Sequence, residues 1–142
     1  MRLSRKFRAF RRLSGRDRFL LFEAAFFLAV ARAAVLTVPF RYIAPWLKRA
    51  PATQSGDADL PHAVRRAIAT AAAHVPWNAV CLPQAIAAKA MLARRGCGSA
   101  FHLGATFDAD GKLIAHAWLV AGGRIVTGEK GLAGMAELAR FG

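Results

Sequence analysis

The sequence predicts an α+β fold, in which helices come first and pack on a small antiparallel sheet. Two observations indicate this. Between residues 60 and 95, two alanine-rich segments carry apolar residues at helical spacing and are separated by Pro76. After Gly96 the pattern changes to short apolar runs that are separated by the turn sequences DADG and GG. A chain of 142 residues is long enough for one compact domain and an appendage.

The positive charge of the chain is concentrated in a basic arm, residues 1–18. This arm holds eight Lys and Arg residues against Asp17, which is a net charge of +7 out of +13 for the whole chain. Because the remainder is only mildly basic, the arm explains the high pI better than a nucleic-acid-binding fold does. No zinc-finger spacing, aromatic RNA-binding signature or basic heptad array accompanies it. We expect no nucleic-acid partner, and we interpret the arm as either a solvated tail or a docking surface.

Residues 19–47 are predicted to be a hydrophobic helical segment. Its first part, residues 19–40, is apolar except for Glu23, Arg32 and Thr37. That length approaches what a bilayer span needs, but each of the two charges is unfavourable by about 2.5 to 3.5 kcal/mol at a bilayer centre. We therefore expect a helix or helical pair that packs on the domain or lies on a membrane, in preference to a transmembrane helix.

Cysteine use indicates a reducing compartment. The chain has two cysteines, Cys81 and Cys97, which are too few for a disulfide framework. No convincing signal-peptide cleavage site follows the basic and apolar start. We expect a cytoplasmic protein, and contact of the hydrophobic segment with the inner face of the membrane stays open.

A linker separates this appendage from the predicted domain. Residues 48–59 combine proline, glycine, serine and small polar residues without periodicity. The domain then takes residues 60–142. Asp59 is placed to cap its first helix, which has Pro61 in the first turn and ends at Pro76.

A second helix is predicted from Cys81 to Arg95. Pro83 falls in its first turn, alanine is frequent, and Gly96 supplies the left-handed residue that ends many helices. Three strands are then predicted, at residues 99–107, 112–121 and 124–129. The tail after them is interpreted as a short helix.

Cys81 is the candidate nucleophile because it lies at the predicted start of this second helix. A helix N-terminus carries a partial positive charge and unpaired N–H groups, which favour the thiolate form of a cysteine. The same N–H groups can bind an oxyanion, so one place serves the nucleophile and the negative charge that develops after attack. Asn78 and Gln84 are candidates for an additional oxyanion donor.

His116 is the candidate general base, in the middle of the predicted strand IAHAWLV. A cysteine nucleophile needs a nearby base, and the base needs a group that orients it. His116 follows Cys81 by 35 residues, which is enough for the helix to pack on the sheet. His62 and His74 belong to the preceding helix, so His102 on the first strand is the only serious competitor.

Glu129 is predicted to orient His116 from the register of the last hairpin. If the GG sequence forms a two-residue turn, Ala121 pairs with Arg124, and Glu129 then lies directly opposite His116. Directly opposed side chains are about 4.5 to 5.5 Å apart at Cβ, close enough for a carboxylate to hold an imidazole. A shift of one residue would remove this arrangement.

The same residues also have structural interpretations. A lone cysteine is more often a small buried apolar residue than a nucleophile, and a lone histidine on an apolar strand is more often a hydrogen-bonded core residue. We interpret Cys97 as a packing residue, and Trp77 and Trp118 as walls of the site or core. No cofactor and no metal is expected, because neither a phosphate-binding glycine loop nor metal-ligand spacing is present.

Residues 75–128 resemble the catalytic domain of lasso-peptide biosynthesis B proteins, which are transglutaminase-like, papain-related cysteine peptidases. The resemblance rests on six pieces in the family's order: PW, CLPQA at the helix start, RRG at its end, FHLG, AHAWL and GGRIV. It implies a papain/transglutaminase-like core, with the catalytic helix packed on an antiparallel sheet behind a helical hydrophobic N-terminal segment.

The resemblance also implies an activity and a set of roles. Such a B protein removes the leader from a ribosomally made precursor peptide, so that a cyclase can close the freed amine onto an acidic side chain. Cys81 would be the nucleophile, and His116 the general base and later the general acid. The family's third member is usually an aspartate on the strand after the histidine. This chain has TGEK there, so Glu129 is nominated by the hairpin register alone.

Partners follow from the same resemblance. Fused members carry a winged-helix leader-recognition domain ahead of the peptidase, and nothing in residues 1–50 resembles one. The chain resembles the split, protease-only form, which implies a separate leader-recognition protein and a macrolactam-forming lasso cyclase as partners. Two other functions stay open: an acyl transferase on the same triad, and a non-catalytic, membrane-associated binding module.

Overall fold

A computed structural model describes residues 2–49, 58–76, 80–129, 132 and 134–141. Within these ranges, five helices precede four strands. The helices are α1 (Arg2–Arg12), α2 (Gly15–Thr37), α3 (Phe40–Leu47), α4 (Leu60–His74) and α5 (Cys81–Arg94). The strands are β1 (Ala100–Phe107), β2 (Leu113–Ala121), β3 (Arg124–Thr127) and β4 (Ala136–Phe141). The predicted α+β class is confirmed. Most of the predicted linker lies outside the described residues.

The basic arm and the hydrophobic segment are helical. The arm forms α1 and the first turn of α2, which begins at Gly15 because the Ser14 side chain accepts a hydrogen bond from the backbone N–H of Asp17 at 3.1 Å. Pro39 separates α2 from α3. By length and composition α2 qualifies as a membrane span, with a mean hydropathy of 2.1, and 28% of that window is buried.

One buried ion cluster fixes α2 to the rest of the chain. The carboxylate of Glu23 is 6% exposed and accepts hydrogen bonds from Arg94 at 2.9 Å and from Arg95 at 2.6 and 2.8 Å. This hydrogen bond to Glu23 raises the pKa of Arg95. Because the two arginines end α5, the cluster joins α2 to the far end of the helix that Cys81 begins.

The hydrophobic core lies between the helices and one face of the sheet. Helix α2 packs on α4 and α5, α5 packs on β2, and α4 packs on β3. Helix α5 is buried along most of its length, because small alanine side chains let it lie close to its neighbours. Lys89 is the one charged residue among the buried side chains described on this helix. Its Nζ donates a hydrogen bond to the carbonyl of Ser99 at 2.9 Å, and burial lowers its pKa.

The four strands form one antiparallel sheet in the order β3-β2-β1-β4. Strand β1 pairs with β2 in an unbroken register, in which His102 lies opposite Trp118 and Gly104 opposite His116. The prediction of a short helix in the tail is wrong. Residues 136–141 instead form β4, because this stretch pairs with the free edge of β1 and thereby satisfies backbone groups on both strands.

Candidate active site

Cys81 is the first residue of α5 and is partly exposed. The chain enters the helix from an extended Val80, whose carbonyl accepts the first helical hydrogen bond, from Gln84 at 3.3 Å. The N–H groups of the first turn therefore have no acceptor within the helix. The predicted placement of Cys81 at a helix start is confirmed.

A cavity of about 440 Å³ brings Cys81 together with His116. Helix α4 forms one wall, the first turn of α5 with Gln84 a second, and β3 with the residues after it a third. Among the described lining residues the titratable side chains are Arg65, Cys81, His116 and Glu129. Cysteine and histidine from two separate elements thus line one cavity, as a thiol nucleophile and its base must do to meet the same substrate.

The ring of His116 is held by a main-chain carbonyl. Its Nε2 lies 2.7 Å from the carbonyl oxygen of Gly128. Since a carbonyl can only accept, Nε2 carries the proton, and in the neutral ring Nδ1 is left as the nitrogen that accepts one. The hydrogen bond therefore fixes the tautomer that a general base needs.

Gly128 occupies a position that only glycine fits. Its φ is +79°, in the left-handed region, and a Cβ added there would lie 2.5 Å from the carbonyl oxygen of Ala117 and 2.8 Å from Cβ of Trp118. Both neighbours are on β2, next to His116. The close approach of the two backbones puts the Gly128 carbonyl within hydrogen-bonding distance of the imidazole.

The predicted register at Glu129 is wrong. The two-residue turn is present, since Ala121 pairs with Arg124 and Val120 with Ile125, but the register then shifts, so that Leu119 lies opposite Thr127. This shift is a β-bulge, and with it the position opposite His116 is no longer residue 129. Strand β3 also ends at Thr127, two residues earlier than predicted.

The carboxylate of Glu129 binds Arg65 instead of His116. Oε2 of Glu129 accepts a hydrogen bond from Arg65, and the same guanidinium donates to the carbonyl of Ile125 at 2.7 Å. No hydrogen bond joins Glu129 to His116, both of which the structure describes. Glu129 still lines the cavity, and its role in catalysis stays a prediction.

His102 lies next to the candidate site but does not line its cavity. It donates a hydrogen bond from Nδ1 to the carboxylate of Glu137 on β4, and its ring stacks on Trp118 with centroids 5.2 Å apart and planes 5° apart. Trp118 also stacks with His116, and the centroids of these two rings are 6.3 Å apart. The predicted competitor is thus a support for the indole that packs beside His116.

Four further residues were singled out in the sequence. Gln84 lines the cavity, as a candidate oxyanion donor should, whereas Trp77 and Asn78 lie outside the described residues. Cys97 is buried beyond the end of α5. Among the described residues, no three His, Cys, Asp or Glu side chains come together as a metal site.

Sequence reasoning missed the Thr127 hydroxyl. This side chain is 5% exposed and lines the cavity, and its Oγ1 has no hydrogen-bond partner among the described residues. A buried hydroxyl without a partner is unfavourable by about 1 to 3 kcal/mol. A single threonine at the end of a short strand gives no sequence signal for this, because burial here depends on packing against α4.

A second cavity adjoins the first. It measures about 520 Å³ and lies between the start of α4 and the β2–β3 turn. Arg65 and Glu129 line both cavities, so their ion pair stands between them. We call the two adjacent cavities together the groove, and Cys81 and His116 line the first of them.

Of the comparisons with known proteins, the one with family models identifies a family. No curated protein and no solved structure gave a match to the chain. A family model described as the Transglutaminase-like superfamily matches residues 24–140, which include most of α2 and both candidate catalytic residues. That superfamily includes cysteine peptidases and transglutaminases, and both activities proceed through a cysteine nucleophile. Because the match covers most of the chain, this protein belongs to the transglutaminase-like superfamily.

Proposed function

We propose that the protein is a cysteine peptidase that cleaves the leader from a lasso-peptide precursor. The observation that carries the chemistry is the His116 ring, which is fixed at Nε2 by Gly128 and shares a cavity with the thiol of Cys81. The choice of substrate is supported by the sequence pieces shared with lasso-peptide B proteins, from CLPQA through GGRIV. No cofactor enters the mechanism.

The reaction begins when Nδ1 of His116 takes the proton of Cys81. The thiolate attacks the carbonyl carbon of the scissile peptide bond, and the oxyanion that forms is stabilised by the N–H of Cys81 and a neighbouring donor. The C–N bond then breaks, and the imidazolium gives its Nδ1 proton to the leaving amine. The leader is left attached to Sγ as a thioester, and the core peptide leaves with a free amino terminus.

Water resolves the thioester. His116 Nδ1 takes a proton from a water molecule, and the resulting hydroxide equivalent attacks the thioester carbon. The C–S bond breaks, the leader leaves with a new carboxyl terminus, and the proton returns from His116 to the thiolate. Throughout this cycle the Gly128 carbonyl accepts the Nε2 hydrogen bond, both from the neutral ring and from the imidazolium.

In this proposal the third role belongs to the Gly128 carbonyl and not to the carboxylate of Glu129. The carbonyl lies at 2.7 Å from Nε2, whereas the carboxylate is occupied by Arg65. A main-chain dipole stabilises an imidazolium less than a full negative charge does, but it orients the ring equally well. We assign the Arg65–Glu129 pair to the wall of the substrate groove.

An extended peptide is the substrate that fits the groove. The two adjacent cavities offer length on either side of the Arg65–Glu129 pair, and β3 is an edge strand of the sheet, where an extended peptide can align. A separate leader-recognition protein would deliver the leader, and a lasso cyclase would take the released core. We place these events in the cytoplasm.

Mass analysis of the products distinguishes the peptidase from an acyl transferase. We expect precursor incubated with the protein and its recognition protein in 18O-labelled water to give two peptides, with one 18O atom in the new carboxyl terminus of the leader. A transferase would instead join the leader to an added amine and incorporate no 18O. A separate alkylation assay shows whether Cys81 of the same preparation is reactive. If it is reactive and the precursor is nevertheless recovered intact, both activities on this substrate are contradicted.

Thr127 provides a test of substrate contact in the cavity. Thr127→Val replaces the unpartnered hydroxyl by a methyl group of similar shape, so we expect the free protein to become more stable by about 1 kcal/mol. If the hydroxyl binds the substrate backbone, KM rises by roughly 5-fold or more while kcat changes little. Urea unfolding and steady-state kinetics measure the two effects. An unchanged KM would remove Thr127 from the substrate site.

A further inference from the structure

We propose that the outer face of α1 and α2 docks the protein on an anionic lipid bilayer, without crossing it. This inference concerns a surface remote from the Cys81 cavity, and it does not depend on the peptidase proposal. It rests on three observations: a continuous exposed apolar stripe, a dense set of cations around it, and the cluster at Glu23 that fixes α2 to the end of α5.

The stripe runs along α2. Its members are apolar, exposed and spaced by three or four residues, and they are Phe19, Phe22, Phe26, Val30, Ala33 and Leu36. Such spacing places them on one side of the helix, over about 25 Å of its length. Phe22 and Phe26 are 65% and 63% exposed. Three phenylalanines in one exposed row are far more apolar surface than scattered single residues, which need no explanation.

Helix α1 continues this apolar surface. It carries Leu3, Phe7 and Phe10 at helical spacing on one side, and Leu3 and Phe7 are 86% and 65% exposed. Phe10 contacts Phe22 edge to face, with ring centroids 5.6 Å apart, so the apolar sides of the two helices meet. Most of the other exposed side chains of α1 are basic. A helix with one apolar side and one cationic side is the usual form of an interfacial membrane helix.

Charge surrounds the stripe at both ends. Residues 1–49 contain twelve Lys and Arg residues against Asp17 and Glu23, which is +10 of the chain's +13. Exposed cations lie along α1 and the start of α2, and again beyond Leu36 on α3 and after it; they are Arg5, Lys6, Arg8, Arg11, Arg12, Arg16, Arg18, Arg41, Lys48 and Arg49. Anionic lipid headgroups attract such clusters while the aromatic side chains enter the acyl boundary.

The inner face of α2 argues against a membrane span. Glu23 is hydrogen-bonded to Arg94 and Arg95, and these arginines belong to the helix that carries Cys81. A spanning α2 would have to break this cluster or bring it into the hydrocarbon. Leu20, Ala24, Leu28 and Ala31 are buried on the same side, against the domain. Helix α2 is thus exposed on one side alone, which suits contact with a membrane surface.

The charge also favours a bilayer over a second copy of this chain. A symmetric dimer through the same face would bring two surfaces of +10 together, and like charges at an interface oppose association. A bilayer that contains anionic lipid presents the opposite charge. Binding should therefore need both terms: apolar side chains to insert and anionic headgroups to attract.

Cosedimentation with vesicles tests this docking. We expect the full chain to bind vesicles of phosphatidylcholine with about one-third phosphatidylglycerol, and to bind pure phosphatidylcholine at least roughly 10-fold more weakly. Salt of about 0.5 M should weaken binding to the anionic vesicles, because the attraction is screened. A carbonate wash should release the protein. Failure to bind anionic vesicles, or retention after the wash, would overturn the proposal.

Matched variants locate the surface. Phe19→Gln together with Phe26→Gln is expected to reduce binding roughly 10-fold or more, whereas Phe107→Gln, at an exposed phenylalanine on β1, leaves it unchanged. Arg5→Gln together with Arg8→Gln should weaken binding to anionic vesicles, and Lys112→Gln should not. Equal behaviour of stripe and control variants would overturn the assignment. A dimer in vesicle-free solution that Phe26→Gln converts to a monomer would also overturn it, because the stripe would then be an interface between two copies of the chain.

Discussion

Replacement of Cys81 by alanine is expected to abolish leader release. The variant loses the sulfur atom that lines the cavity and forms the thioester, so the rate should fall by roughly 10³-fold or more, to the level that substrate binding alone provides. The measurement is the appearance of free leader by mass spectrometry, with precursor and recognition protein held at constant concentration. His116→Ala should lose a similar factor. The double variant should be no worse than either single one, because the two residues act as one unit.

Cys97→Ala is the matched control for this experiment. Cys97 is the other cysteine of the chain and is buried beyond the end of α5, away from the cavity. Its removal should leave leader release near the parental rate and change only stability. Alkylation followed by peptide mapping adds a second comparison, since a partly exposed thiol at a helix start should be modified before a buried one. Leader release by Cys81→Ala at the parental rate would refute the mechanism.

The elements that carry Cys81 and His116 were predictable because their signals are local. Proline in the first turn and glycine after the last place the start and end of α5 within a residue or two, and these preferences come from backbone geometry alone. The alternation and turn sequences around His116 are equally local. Sequence spacing was therefore sufficient to predict the elements of Cys81 and His116, because the boundaries of both elements have clear local signals.

The register at Glu129 could not be predicted in the same way. The turn at Gly122 and Gly123 has its own sequence signature, but the bulge three residues later has none that stands out. The extra residue follows from the close approach of Gly128 to Ala117 and from the Arg65 hydrogen bond to the Ile125 carbonyl, and Arg65 is 60 residues away in the chain. Contacts of that range leave no periodicity to detect. The sequence signal available for this site was Gly128, a glycine directly after a short strand.

The helix predicted in the tail, where the structure has β4, was wrong for a different reason. The stretch AELARF has good helix formers, and taken alone it favours a helix. It forms a strand because the outer edge of β1 offers unpaired backbone groups, and Phe141 packs on Phe101 with ring centroids 5.9 Å apart. Tertiary pairing therefore outweighs a propensity of a few tenths of a kcal/mol per residue. The same strand supplies Glu137 to His102, so this change also adds to the support of Trp118.

Replacement of Gly128 by alanine is expected to lower kcat on the order of 10²-fold with little change in KM. A Cβ at this position would meet the Ala117 carbonyl at 2.5 Å, so the strand end must move and carry its own carbonyl away from Nε2 of His116. The ring then loses its fixed tautomer, while the walls of the cavity that α4 and α5 form stay in place. Steady-state kinetics on the purified variant separate kcat from KM.

Gly123→Ala is the control, because Gly123 has the same left-handed backbone, with φ of +74°, but nothing within 4 Å of an added Cβ. Both variants carry the backbone strain of about 1 to 2 kcal/mol, and only Gly128→Ala disturbs the histidine. Glu129→Gln should stay within about 2-fold of the parental rate, since the side chain of Glu129 is 57% exposed and water screens its ion pair with Arg65. Nitrogen-15 NMR of the parental imidazole tests the tautomer without any variant, because the proposal requires the proton of neutral His116 to be on Nε2. A proton on Nδ1 would refute the hydrogen bond to the Gly128 carbonyl. A loss of kcat in Glu129→Gln that matches the loss in Gly128→Ala would return the orienting role to the carboxylate.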